Sequence, residues 1–283
     1  VTRPIVFLTD YGMQDEFVGV CHAVMARIAP EAHVLDLTHA VPRQDVGRGA
    51  LILSRAMPYL PDDAVVVAVV DPGVGSERRA IAVRTRAGVI LVGPDNGLLS
   101  PSWEVLGGAA EAREILSDDV VLAPVSQTFH GRDVFAPAAA HLADGLAFEA
   151  LGPALDPAEL AIHESPSAMV TPGAIGARVM GVDGFGNVQL NVEAEHLAAA
   201  GIAGVVKVGD HQLTFVQIFA DLPEQGIGAI VDSQGFIALV VNKGSAAQAL
   251  SLRDGDTVIL ERADGEGGQG PGDPPPRHLQ PVD

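Results

Sequence analysis

The residues with the most chemical potential in this chain stand just past its apolar runs. Asp71 closes one run and opens Asp71-Pro72-Gly73-Val74-Gly75-Ser76-Glu77-Arg78, which sets an acid and an arginine on either side of a glycine-rich turn. An Asp and an Arg held in one pocket can bind a polar nucleophile or pin a carboxylate; the same pair can also be a salt bridge that closes the loop. The glycines make no dinucleotide fingerprint, because Gly73-Val74-Gly75 lacks the third glycine and leads into a strand pattern. His130, in Thr128-Phe129-His130-Gly131-Arg132-Asp133, precedes a helical pattern. A loop there would present it as a general base or water positioner, or as an ordinary hydrogen-bonding histidine. Asp10 and Asp15 follow the first apolar run and could accept hydrogen bonds from a sugar diol and an amine; the alternative is a strand stop and a helix cap. Asp10, Asp71, His130 and Asp133 together could hold a divalent ion, although no HxH, HExxH or paired-Asp spacing supports one. Asp183-Gly184-Phe185-Gly186-Asn187 offers a ring without bulky neighbours for stacking and an amide for a purine edge, or is a β-turn with an incidental Phe. His22, His33, His163, His196, His211 and His278 have no partner at ligand spacing and are read as structural or surface residues.

The elements that must position these groups alternate. Residues 4–8 form a continuous apolar run of the kind buried on both faces of a parallel sheet, and they stop at Thr9-Asp10-Tyr11-Gly12. A helix follows with Phe17, Val20, Val24 and Ile28 on one face, Asp15 at its start and Pro30 at its close. Residues 33–38 repeat the strand, and Asp45 caps a helix carrying Val46, Ala50, Leu53 and Met57. Residues 64–70 are a third strand, and residues 80–85 and 89–92 form a hairpin through Arg86-Ala87-Gly88. A late helix bears Phe135, Ala139, Leu142 and Leu146. Strand, helix, strand with short links predicts an α/β domain with a mostly parallel sheet flanked by helices, whose ligands collect at the carboxyl ends of the strands. Past residue 153 the pattern becomes short β-type runs between Gly, Asp and Asn turns, which predicts a smaller all-β, barrel-like domain. The division expected is 1–165, 166–263, and a Gly/Pro-rich disordered tail over 264–283.

Composition removes whole classes of function. The chain has 283 residues, with 17 Lys+Arg against 36 Asp+Glu for a net charge of −19, and 48% of its residues are hydrophobic. Such a charge repels phosphate backbones and anionic lipid, and the densest basic cluster, Arg78, Arg79, Arg84 and Arg86, lies around a strand and its turn; no nucleic-acid or membrane partner is expected. A lone Cys21 can form no internal disulfide or thiolate metal site, and its flanks read as a buried helix position. Absent a basic-then-apolar leader or a spanning run of ~20 residues, a reducing, cytoplasmic setting is the expectation.

Taken together, six segments give the chain a resemblance to the S-adenosyl-L-methionine hydroxide adenosyltransferase family, relatives of fluorinase and chlorinase. They are Thr9-Asp10-Tyr11-Gly12 with Asp15, Asp71-Pro72-Gly73-Val74-Gly75 with Arg78, Pro94-Asp95-Asn96-Gly97-Leu98-Leu99, Phe129-His130-Gly131-Arg132-Asp133, Gly184-Phe185-Gly186-Asn187 and Val241-Asn242-Lys243-Gly244. Each is weak alone; in this order, through to about Glu261, they are specific. The resemblance implies hydrolysis of S-adenosylmethionine, as substrate and without a cofactor or metal, to adenosine and methionine. It implies a homotrimer with sites between the first domain of one subunit and the second of its neighbour. By the same matching, Asp71, Arg78 and His130 hold the attacking water or hydroxide, Asp10 binds the ribose hydroxyls, and Phe185 and Asn187 contact adenine. Asp15 and Ser233 fall at the methionine end, and Phe219 is a candidate second stacking ring. Halogenating relatives carry Tyr at the position of Asp71 and lack the Arg and His, and fluorinases have a long insertion at Arg86-Ala87-Gly88; both departures argue against a halogenase. The alternatives are a metal-dependent hydrolase of small phosphoesters or amides, and a non-catalytic sensor of adenosine or S-adenosylmethionine.

Overall fold

In the computed structural model, which describes residues 2–263, the chain divides into two compact units, Val1–Ser165 and a second beginning at Pro166. The expectation of a disordered tail lies outside the described residues. The first unit runs β1 (Ile5–Thr9), α1 (Phe17–Ile28), β2 (Val34–Thr38), α2 (Val46–Ala56), β3 (Val65–Val69), β4 (Ala80–Thr85), β5 (Ile90–Pro94), α3 (Ser100–Val105), β6 (Ala109–Glu114), α4 (Ala136–Ala143) and β7 (Ala154–Leu155). Its sheet has the order β2-β1-β3-β5-β4-β6-β7.

The α/β class is as expected, with one refinement. The strand pairs among β2, β1, β3 and β5 are parallel, whereas β5-β4, β4-β6 and β6-β7 are antiparallel. The physical reason is the tight turn at residues 86–88: with Gly88 at φ 95° it reverses the chain directly, so β4 and β5 pair without a crossover helix. Both faces of the parallel half are buried. In β1, Ile5 and Phe7 join the core under α1 and α4, while Val6 and Leu8 join the core under α2. Side chains alternate along a strand, so only a continuous apolar run fills both layers.

The helices show where pattern reading drifts. Asp45 caps α2 by accepting from Arg48 N at 2.8 Å, as expected. Asp15 does not cap α1: the residue before that helix is Glu16, which makes no side-chain capping bond, and Asp15 is exposed. The buried face of α1 is Val18, Cys21, Val24 and Met25, and Phe17 turns outward because it lines a cavity instead of the core. Cys21 is buried as expected, and burial pushes its thiol pKa up to about 12, which leaves it an inert core residue.

The second unit contains β8 (Met169–Thr171), β9 (Ala174–Val182), β10 (Val188–Glu193), α5 (Ala194–Ala200), β11 (Val205–Val208), β12 (His211–Phe215), β13 (Ile227–Val231), β14 (Phe236–Val241), α6 (Ala246–Ala249) and β15 (Thr257–Arg262). Its sheet order is β10-β14-β13-β12-β11-β15-β9-β8, and a further pairing of β9 with β10 closes seven strands into a barrel. Closure removes the free edges that a small sheet would otherwise expose. One pair, β12 with β13, is parallel, and the other pairs around the barrel are antiparallel. Inward-facing Ile175, Val179, Val188, Leu190, Val206, Leu213, Leu239 and Leu260 fill the interior. Among the described residues no helix is long and apolar enough to cross a membrane.

Candidate functional site

Three connections at the carboxyl ends of the parallel strands build the site. After β1 the chain turns through Asp10 and Tyr11; after β3 it turns through Asp71; and a wide helical turn over Gly131–Phe135, continuous with α4, presents His130 at its start. These segments surround a cavity of about 610 Å³ lined by Asp10, Gln44, Asp71, Phe129, His130 and others of the first unit. That volume lies in the range of small-molecule sites.

Arg78 is the hub. Its Nε donates to both carboxylate oxygens of Asp71 at 3.1 Å, and its Nη2 donates to Asp71 Oδ2 at 2.5 Å. The same Nη2 lies 2.7 Å from His130 Nδ1. An arginine carries donors only, so Nδ1 must accept, which puts the ring in its neutral form with the proton on Nε2. Burial, and then the neighbouring Arg78 charge, hold the His130 pKa below its ordinary value, against the opposing pull of Asp71, Asp133 and a backbone hydrogen bond at Ser126. Geometry and electrostatics thus agree on a neutral imidazole. The Asp71 and Arg78 side chains are only 5% and 10% exposed. The Arg78 guanidinium also sits 5.2 Å from the centre of the Phe135 ring, which fixes its plane.

Glycines let the supporting loops approach this closely. Gly75 has φ 77°, and a Cβ there would lie 2.3 Å from the carbonyl oxygen of Gln127, so the Asp71 loop and the loop before His130 are in contact through a glycine. Gly131 has no room either: a Cβ would meet the Tyr11 hydroxyl at 2.0 Å. Tyr11, Phe17 and Phe129 form an edge-to-face cluster on the cavity wall, with centroids 5.3 to 6.1 Å apart. Burial first, then the neighbouring Cys21, Asp10 and Asp71 against the opposing pull of Arg78, raise the Tyr11 phenol well above its usual pKa, so it stays protonated.

Several supports were not singled out by sequence reasoning. Asp10 Oδ2 accepts from the backbone N–H of Gln44 at 2.8 Å, a contact with no sequence signal because the donor is main chain. Asp133, weighed above as a metal ligand, instead organises the loop: it accepts from Ser126 N at 2.9 Å and from Arg132 at 2.6 and 2.9 Å. Burial penalises its charge, but the hydrogen bonds from Arg132 and Ser126 outweigh that and hold its pKa low. With Asp71 bound to Arg78 and Asp133 to Arg132, the four residues read as a possible divalent site are not arranged as one. Asn96 is likewise structural, its Nδ2 donating to the Val70 carbonyl at 2.9 Å and so tying β5 to the residue before Asp71.

Asp15 is exposed and is not among the residues lining the cavity. The remaining expected residues belong to the second unit. Phe185 is 83% exposed at the tip of the β9–β10 turn, where Asp183 accepts from Phe185 N, Asn187 N and Asn187 Nδ2 at 2.8 to 2.9 Å. Gly186 (φ 84°) closes that turn against Ser245. Ser233 is exposed in the β13–β14 turn, and Phe219 is 43% exposed in a single helical turn between β12 and β13.

Residues 5–152 match the SAM hydroxide adenosyltransferase N-terminal domain, and residues 177–259 match the C-terminal domain of the same family. The chain is 47% identical over 256 residues to the (R)-S-adenosyl-L-methionine hydrolase of Salinispora arenicola (strain CNS-205), covering 90% of this chain and 96% of that one. It is 43% identical over 267 residues to the protein of the same name from Thermus thermophilus, covering 91% and 99%. A fluorinase from Actinopolyspora mzabensis is 28% identical over 295 residues, covering 93% and 98%. Among solved structures, an uncharacterized conserved protein from Thermotoga maritima superposes with a TM-score of 0.83 at 36% identity, covering 91% of this chain and all of that one. With both halves of its length matched in order, and with Asp71 and His130 lining one cavity and joined by Arg78, the chain belongs to the SAM hydroxide adenosyltransferase family.

Proposed function

We propose that the protein hydrolyses S-adenosyl-L-methionine to adenosine and L-methionine by in-line attack of water or hydroxide on the ribose 5′ carbon. The observation that carries this reading is the pair of cavity-lining residues Asp71 and His130, bridged by the Arg78 guanidinium. The leaving group is a neutral thioether expelled from a sulfonium, so it needs no acid. The nucleophile is the difficulty, because bulk water has a pKa near 15.7 and hydroxide is scarce at neutral pH. Arg78 lowers the cost of negative charge on the attacking oxygen, and Asp71 accepts its hydrogen bond and draws off its proton as the C–O bond forms. His130, neutral and with Nδ1 committed to Arg78, positions the water as a donor through Nε2–H instead of abstracting its proton. Hydroxide meeting sulfonium neutralises charge, which a pocket shielded from water favours.

The finer assignments rest on the family. Asp10 binds the ribose hydroxyls, Phe185 and Asn187 take adenine, Phe219 supplies a second ring, and Asp15 and Ser233 hold the methionine end. The working assembly is a homotrimer with sites at subunit interfaces, acting in the cytoplasm with no cofactor or metal in the chemical step. The names of the relatives specify the (R) form at sulfur, so the test separates the two epimers. Chromatography should show adenosine and methionine in equal amounts from the (R) epimer, with 18O from labelled water in the adenosine 5′-hydroxyl. Turnover should survive a chelator and added chloride. A halogenated adenosine, or no product from either epimer, overturns the proposal.

A further inference from the structure

Outside the cavity, the fold brings together three ligand-type side chains that are scattered in sequence. His22 on α1, Asp36 on β2 and His39 just past β2 place one imidazole nitrogen each and a carboxylate oxygen within 4.8 Å of one another. His22 Nε2 is 2.8 Å and His39 Nε2 3.0 Å from the same atom, Asp36 Oδ1. His22 was read from the sequence as having no partner, and the convergence corrects that: strand β2 lies beside β1 at the sheet edge, and α1 passes over it.

His39 is the distinctive member. It is 4% exposed, yet its Nε2 makes no hydrogen bond of good geometry, although the ring is firmly held. Nδ1 lies 2.8 Å from Thr9 Oγ1, and the ring packs edge-on to Phe7 with centroids 4.8 Å apart. A buried imidazole held at its inner nitrogen by Thr9 Oγ1, with its outer nitrogen 3.0 Å from a carboxylate oxygen that a second imidazole also approaches, is placed as a metal-ligating histidine would be. We infer that His22, Asp36 and His39 form a binding site for a divalent transition ion of the zinc type, separate from the site of the proposed hydrolysis.

The donor chemistry fits. Two imidazoles and one carboxylate make a borderline-soft, three-ligand set, which zinc completes with a water. Tetrahedral ligands at bonds of ~2.0 Å stand about 3.3 Å apart. The observed 2.8 and 3.0 Å separations from Asp36 need to open by a few tenths of an ångström, and the two imidazole nitrogens, within 4.8 Å of each other, need to settle to the same spacing. Asp36 and His22 are 39% and 34% exposed, which gives the ion a path in from solvent. The His39 carbonyl accepts from Gly12 N at 2.7 Å, and Thr9 precedes Asp10, so a bound ion would brace the turn that carries Asp10 from behind without touching reacting atoms.

The untagged full chain, stripped of metal by chelation, is titrated with Co2+ and then Zn2+. One Co2+ per chain is expected, with the visible bands of a four- or five-coordinate ion, displaced by one equivalent of Zn2+ that also raises the Tm. His22→Gln, at a half-exposed position that spares the fold, and Asp36→Asn should each weaken binding by at least about tenfold, whereas His211→Gln, at an exposed histidine elsewhere, should not. The inference is overturned if the wild type shows no stoichiometric ion, or if H22Q binds as tightly as the wild type while circular dichroism shows both folded. Because the readout is spectral, its failure is distinguishable from failure of the hydrolase reading.

Discussion

In the first unit, Asp71, Arg78 and His130 hold one another in place with side chains buried or half-buried. In the second, Phe185 stands 83% exposed on a turn stiffened by Asp183, and Phe219 and Ser233 are exposed on other turns. One set is held rigid within its own unit; the other stands exposed among the described residues of its unit. The contrast fits two tasks. A group that must stabilise charge has to be fixed and shielded before the substrate arrives, because reorganisation during reaction costs rate. A ring that only stacks on a base needs a firm platform and an open face.

If that division of labour holds, substitutions in the two units should separate kcat from KM. The largest effect is expected from Asp71→Asn, which removes the charged acceptor beside Arg78: kcat should fall by about 10²–10³-fold or more with KM changed far less. Equal losses in kcat and in binding would break the contrast. Gly75→Ala comes next, because a Cβ 2.3 Å from the Gln127 carbonyl must push the two loops apart; unfolding experiments should show a loss of about 1–3 kcal/mol, with reduced kcat in the folded fraction. Phe185→Ala should leave stability unchanged and raise KM roughly 5- to 100-fold, the equivalent of ~1–3 kcal/mol of base stacking. A kcat defect as large as that of D71N would show that the second unit also shapes the reacting centre.

The smallest effect concerns pH. The folded-state pKa of His130 lies below its ordinary 6.5, so the neutral ring and its contact with Arg78 are fully present above 6.5 and are lost as pH falls through the lowered value. Both activity and this contribution to stability should therefore decline only on the acid side, at lower pH than for a free imidazole. His130→Gln should remove that acid limb from the kcat profile, and a limb that persists would assign it to another group.

Much of the candidate site was legible because the polar residues that meet at the cavity stand where local patterns end. Asp10, Asp71 and His130 each follow a strand or precede a helix, and Arg78 follows Asp71 within one turn. What stayed hidden has a common cause. The Gln44 main chain that holds Asp10 carries no side-chain signature. Asp133 looked like a ligand because type and spacing do not reveal that Arg132 and the Ser126 N–H already occupy its oxygens. The face of α1 was misjudged at Phe17 because apolar period alone does not distinguish a core from a cavity wall. His22, Asp36 and His39 gave no ligand motif, since α1 and β2 bring them together only on folding.

The sequence by itself determined many of the elements and their order: the continuous apolar runs that must be buried on both faces, the tight turn that forces β4 against β5, the Asp45 cap, and an acidic, aliphatic chain of two units. These follow from interactions within a few residues, where side-chain type and period suffice. Only the tertiary structure decided which polar groups meet: Arg78 with His130 across 52 positions, Asp10 with Gln44 across 34, Gly131 against Tyr11, and two imidazoles on one carboxylate. Such pairings depend on how layers pack and where strands end in register, and their directional hydrogen bonds are fixed only once burial has set the backbone in place.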